Sequence, residues 1–358
     1  MIMQPLPASS WLNAPAHHAW LAAEGQRLLG FAKASRLPEG FGNLDVQGRL
    51  PVDAHAETMN TARMTHSFAM AHAQGLPGYA ELVEHGVASL TGPLRDAEHG
   101  GWFAVAGAGD GNTGKAAYLH AFVALAASSA VVAGAPGAQA LLTDAMQIID
   151  QHFWCEEEGA MLESFARDWS GEEAYRGANS NMHATEAFLA LADVTGDTRW
   201  LGRALRIVER VIHRHAAANE FMVIEHFDRY WQPLHRYNED NPADGFRPYG
   251  ITPGHGFEWA RLVLHLEAAR QQAGLVTPAW LLEDAKLCSP APASMAGRWT
   301  VARAWSTPWT GTTARWCASV CIGPTPKPAR PPRPCSSAPA SGITRSGTGA
   351  SGSSVKPT

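Results

Sequence analysis

Two stretches of this chain place the same side chains at the same spacing. Asn179-Ser180-Asn181-Met182-His183-Ala184-Thr185-Glu186 holds a histidine with a glutamate three residues on, and Thr252-Pro253-Gly254-His255-Gly256-Phe257-Glu258-Trp259 repeats the pair. Three residues along a helix is about one turn on the same face, so each imidazole should meet a carboxylate. With Ser180 and Thr252 as N-caps, each histidine would sit in the first turn. Pro253 would then take the first helical position, where its missing N–H costs nothing. The positive end of a helix dipole disfavours imidazolium and a nearby carboxylate favours it. A histidine held between those influences can both take and give a proton near neutral pH. His-x-x-Glu spacing also suits a metal, and a single histidine at a helix start can simply pack or cap. Recurrence of the pair, each time after a long loop, argues for a functional role over packing, and no cofactor is expected. A third stretch, Asn60-Thr61-Ala62-Arg63-Met64-Thr65-His66, offers Arg63 to a sugar hydroxyl or an anion.

One motif is set aside. Gly109 to Lys115 fits both G-x-x-x-x-G-K and G-x-G-x-x-G. A phosphate loop needs Ser or Thr next, for magnesium, and a parallel sheet behind it. Here the next residue is Ala116, and the chain lacks the series of β-branched strands such a sheet requires.

The elements that must position these residues read as helix after helix. The pattern predicts helices at about 14–33, 54–73, 78–91, 114–134, 137–153, 180–195, 198–215, 253–273 and 277–287. Ala116 to Ala133 is apolar nearly all round, as a helix buried on most faces would be. Leu201, Ala204, Leu205, Val208, Val211 and Ile212 form one stripe at helical spacing. Short turns (134–136 and 195–197) alternate with long loops (96–113, 154–179 and 216–251). That alternation predicts a toroid of helical hairpins with tight turns on one face and functional loops on the other. Strand pairs are expected within the long loops, at 101–106 and 222–233.

Composition supports a globular protein: 358 residues, 46% apolar, 17% charged and a formal charge of −5. Neither nucleic acid nor a membrane is expected as a partner. The charge is mildly acidic, and no run approaches the roughly 18 apolar residues of a membrane span. The N-terminus lacks the pattern of a signal peptide, and Cys155 is the one cysteine before residue 288. Both features predict a cytoplasmic protein without a disulfide framework. From Leu287 onward the vocabulary changes. That stretch has no Asp, Glu or His, carries eight of the basic residues and holds eleven of the 24 prolines, while the preceding part has a charge of −13. Residues 287–358 are therefore expected to be a disordered or frame-shifted tail, leaving residues 1–286 as the catalytic domain.

The residues quoted above, together with Asp240-Asn241-Pro242-Ala243-Asp244-Gly245-Phe246-Arg247-Pro248-Tyr249-Gly250-Ile251 leading into the second histidine stretch, carry a resemblance. Over about residues 10–286 the chain resembles the N-acylglucosamine 2-epimerase superfamily, most of all its mannose isomerase and sulfoquinovose isomerase branch. The resemblance implies an all-α, (α/α)6 barrel with a central active site. It also implies metal-free isomerisation of a free sugar through a cis-enediol. By motif it assigns His183, His255 and Glu258 to catalysis and Arg63, Asn181 and Glu186 to the substrate side. A third histidine of the family lies in the last helices of that barrel. This chain has no histidine there and about three helices fewer, so impaired activity is expected. The implied partner is a small sugar, mannose going to fructose, and a homodimer is compatible with the reading. Two alternatives stay open. One is 2-epimerisation of an N-acylglucosamine or glucose-type sugar. The other is an inverting glycoside hydrolase on the same barrel, with Glu186 and Glu258 about 6.5–9.5 Å apart.

Overall fold

The computed structural model describes residues 11–107 and 113–288. Its α-helices are α1 (Pro15–Ala32), α2 (Thr58–Ala73), α3 (Ala80–Thr91), α4 (Ala117–Val132), α5 (Ala138–Ile148), α6 (Ala178–Thr195), α7 (Arg199–Val208), α8 (Pro253–Gln272) and α9 (Trp280–Cys288). Each coincides with a helix that periodicity predicts. Helices α5 and α7 run on into π-turns, Ile149–Phe153 and Glu209–Ala216. The expected tail lies outside the described residues from 289 onward.

The helices form an incomplete toroid. Inner helices α2, α4, α6 and α8 lie side by side in chain order, and α3, α5, α7 and α9 each fold back on the inner helix before them. Among the described residues the ring does not close. Helix α4 explains why its sequence is apolar all round. It packs against α2, α6 and α5, and Ala121 through Ser128 are all buried. The α7 stripe buries Leu201, Ala204, Val208, Val211 and Ile212 in the same core. Tight turns close the hairpins. Gly196 (φ 70°) caps α6 in the left-handed conformation, its amide donating to the Ala192 carbonyl. At Gly86 a Cβ would fall 1.9 Å from Thr65 Oγ1, so glycine there lets α3 lie close on α2.

The long loops are laced to one another. Lys115–Ala116 pairs antiparallel with Ser164–Phe165, and Tyr175–Gly177 pairs antiparallel with His226–Asp228. Short ribbons also form at Arg36–Leu37 with Gly40–Phe41 and at Trp154–Cys155 with Ala160–Met161. The expectation of strand pairs at 101–106 and 222–233 is met only by a bridge between Phe227 and Pro233 within the second stretch, and the first has no internal pair. Residues 101–106 make only isolated bridges, Trp102 to Arg95 and Val105 to Glu57. His226–Asp228 finds its partner in the preceding long loop. Lys115, the phosphate-loop lookalike, lies in a strand, fully buried with Asp96 at 2.8 Å. Arg167 bonds the same carboxylate. Breaking a buried pair by removing one partner typically costs about 3–5 kcal/mol, so Lys115 has a structural task.

Candidate active site

His183 lies near the start of α6, which packs on α4, and His255 at the start of α8, which packs on α6. The start of α6 differs from expectation. Gly177 is its N-cap, and Ser180 is the third helical residue, so His183 lies in the second turn. Glu163, from the preceding loop, organises this start: its Oε2 accepts the Gly177 amide (3.1 Å) and the Ser180 hydroxyl (2.6 Å), and the helix begins at Gly177 rather than at Ser180. Helix α8 follows expectation, with Thr252 as N-cap and Pro253 first in the helix.

His183 Nδ1 lies 3.3 Å from Glu186 Oε2, the partner that the spacing predicts. Its ring packs against Phe122 (centroids 4.5 Å apart) and edge-on to Tyr118 (5.2 Å). Arg63 on α2 stands over the Phe122 ring at 4.2 Å and donates to the Tyr118 hydroxyl at 2.7 Å. Glu186 also accepts from Arg261 of α8 at 2.7 Å. Burial is the largest influence on His183 and lowers its pKa. Glu186 opposes that, Arg63 adds to it, and the net position is below the ordinary histidine value. Burial by itself would raise Glu186, but His183 and Arg261 hold it far below the usual carboxylate range. His66 completes this side. Its Nδ1 is 2.6 Å from Ser129 Oγ, and burial lowers its pKa while Glu186 and Arg261 act on it in opposite directions.

His255 is built differently. Its Nδ1 lies 2.9 Å and 3.0 Å from the two oxygens of Glu225. The expectation that Glu258 is its partner is corrected: Glu225, thirty residues earlier and 4% exposed, holds the imidazole. Burial again works to lower the pKa. The charge and hydrogen bond of Glu225, with Glu258 behind them, outweigh it, and His255 is raised above the ordinary value. Glu258 is hydrogen-bonded to neither imidazole among the described residues, yet its charge acts on both in the raising direction. Glu225 closes the apolar run Phe221-Met222-Val223-Ile224, and an acid ending such a run was the available sequence signal.

Asn181 is also placed differently from its motif reading. It is fully buried. Its side chain accepts from the Met161 amide (2.9 Å) and donates to the Gly177 and Met161 carbonyls (3.0 and 3.4 Å). Its polar atoms are thus committed to pinning a ribbon onto α6. The long motif before α8 anchors its own loop in a similar way. Arg247 bonds Glu173 through both nitrogens (2.7 and 3.0 Å) and covers the Tyr175 ring at 4.2 Å. A depression along α8 and α9 is lined by Phe257, Arg261, Leu264, His265, Ala285 and Lys286, and its Arg261 is the arginine that bonds Glu186. Among the described residues, no three His, Cys, Asp or Glu side chains are grouped to hold a metal ion. No helix among them is long and apolar enough to cross a membrane.

A toroid of helical hairpins carrying two imidazole–carboxylate pairs, biased in opposite directions, offers groups able to take and to give a proton. The chain belongs to the N-acylglucosamine 2-epimerase (GlcNAc 2-epimerase) family, whose pattern matches residues 40–299, and it is a sugar isomerase or epimerase of that family. It is 72% identical over 278 residues to a D-mannose isomerase of Pseudomonas cannabina pv. alisalensis, a match covering 78% of this chain and 67% of the relative. A crystal structure of a D-mannose isomerase superposes with a TM-score of 0.69 at 27% identity, covering 80% of this chain and 71% of that one. A glycoside hydrolase family 76 mannosidase of Bacteroides thetaiotaomicron shares the fold alone, with a TM-score of 0.55 at 10% identity over 75% of this chain and 70% of that one.

Proposed function

We propose that this chain carries the catalytic machinery of an aldose–ketose isomerase that converts mannose to fructose, within residues 1–286. The observation that carries this reading is the opposite bias of the two imidazoles. Relative to an ordinary histidine, His183 is biased toward the free base and His255 toward the acid. Each has Nδ1 against a carboxylate, which leaves Nε2 for the substrate.

The chemistry balances without a redox partner. His183 takes the proton from C2 of the open-chain aldose while His255 gives one to the carbonyl oxygen at C1, forming the cis-enediol. The proton held by His183 then goes to C1 as His255 recovers one from the hydroxyl at C2, leaving the ketose. Glu258, acting on both imidazoles, balances charge as it shifts between them. Arg63, Tyr118 and Phe122 form the wall beside His183, where Arg63 would hold a hydroxyl. Glu186 tunes His183, and Asn181 keeps the start of α6 in place. Similarity to D-mannose isomerases supports the choice of sugar, and the lone body cysteine supports a cytoplasmic setting.

The test uses the 358-residue chain beside a chimera in which residues from 289 onward are replaced by the matching C-terminal part of the Pseudomonas relative. In D₂O the chimera should turn mannose into fructose, with deuterium entering at C1 to the extent that the transferred proton exchanges. The 358-residue chain should be much slower. Formation of glucose without fructose would favour the epimerase. Hydrolysis of a glycosidic bond without isomerisation would favour the hydrolase.

A further inference from the structure

Glu225 touches the beginnings of both helices that carry the histidines. Its carboxylate receives the Nδ1–H of His255 and lies 3.4 Å from the amide of Thr252, the N-cap of α8. Its main-chain carbonyl accepts the amide of Ala178, the first residue of α6, at 2.9 Å. The next residue extends the clamp. His226 Nε2 is 2.8 Å from the Pro248 carbonyl in the loop entering α8, and its Nδ1 is 2.6 Å from the Tyr175 hydroxyl. A histidine whose Nε2–H goes to a carbonyl has Nδ1 left to accept, so this chain of bonds has one consistent direction. Tyr175 belongs to the strand that leads directly into α6.

We propose that Glu225 is a positioning residue for the isomerisation: it holds His255 in the Nδ1–H tautomer and fixes the first turn of α8 against the first turn of α6. The relative placement of the two imidazoles then depends on this one residue, its carboxylate holding the start of α8 and its main-chain carbonyl the start of α6. The inference deepens the isomerase reading and rests on it for its catalytic meaning, but not for its structural claim. A carboxylate behind an imidazole sets which nitrogen carries the proton and raises the basicity of the other. Glu225 is suited to that work, being almost fully buried and bonded to no arginine or lysine among the described residues. The acidic groups facing His255 are Glu225 and Glu258, so removing the Glu225 charge leaves the more distant carboxylate alone.

The experiment is an NMR titration of the 358-residue chain with ¹⁵N- and ¹³C-labelled histidine, with His255 assigned by the signal missing in His255→Asn. In the wild-type chain, neutral His255 should show the Nδ1–H tautomer. In Glu225→Gln, which keeps shape and hydrogen bonding but loses charge, its titration should move to lower pH. Glu225→Asp should restore much of the raised value. In the chimera, Glu225→Gln should lower kcat by about 10²-fold, the scale of a lost acid–base contribution, with little change in KM. An Nε2–H tautomer in the wild-type chain, or a Glu225→Gln titration of His255 identical to wild type, would overturn the proposal. A fall in melting temperature with an unchanged His255 titration would do so too, since it would mark Glu225 as merely structural. Chimera inactivity on mannose would sink the isomerase reading while leaving the titration result intact.

Discussion

His183 and His255 are each given a carboxylate at Nδ1 near a helix start, the first buried and the second half-buried, yet they are biased in opposite directions. The difference lies in what else the carboxylates hold. Glu186 is shared with Arg261, and Arg63 stands beside His183, so little negative charge is left to offset the cost of burying an imidazolium. Glu225 spends its charge on His255, with Glu258 adding to it. A histidine–glutamate spacing therefore does not fix a protonation state. The counter-charge on the carboxylate does, and it comes from another helix.

Replacing either histidine with asparagine in the chimera should cost at least about 10²-fold in kcat. The melting temperature should move little, because shape and polarity are kept. A variant of His255 that retains more than half the activity would assign that residue to packing.

The next effect is on pH dependence. Arg261→Leu removes the cation that competes for Glu186, so His183 should become more basic. Because the base must be neutral to work, the acidic limb of kcat/KM should shift to higher pH while the alkaline limb stays. Movement of the alkaline limb, or of neither, would break the link between Arg261 and His183.

A smaller effect is on stability, and it has opposite signs for the two histidines. His255 has its folded pKa raised, so its contribution is full below the unfolded histidine value and is lost as pH rises through the folded value. His183 has its folded pKa lowered, so its contribution is full above the unfolded value and is lost as pH falls through the folded one. Melting curves from about pH 5 to 9 should show wild type losing its advantage over His255→Asn toward alkali and over His183→Asn toward acid. Parallel curves would contradict the opposite bias. The smallest expected effect is none at all: exhaustive EDTA treatment should leave chimera activity unchanged. Loss on chelation with recovery on adding one divalent ion would show the histidine–glutamate pairs to be ligands instead.

Helices were the legible part of this molecule because their signal is local. The all-apolar face of α4 and the single stripe of α7 state their burial within one element. The site was legible as far as its imidazoles, since a repeated histidine–glutamate pair stands out of a sequence. What escaped is non-local. The start of α6 is organised by Glu163, seventeen residues before Ser180, which holds both Gly177 and Ser180. Glu225 reaches His255 from thirty residues away, and strand pairing between separate loops leaves no periodicity to find. Asn181 shows the opposite problem. Its motif was conspicuous, but the side chain is committed to the Gly177 and Met161 backbone.

The most direct test of the acid–base assignment is one histidine-resolved NMR titration of the 358-residue chain in which His183 and His255 are followed together. The expected result is that His255 titrates above the ordinary histidine value and His183 below it, so that a pH range exists in which one is an acid and the other a base. Coincident titrations, or the reverse order, would contradict the division of labour on which the proposed isomerisation depends.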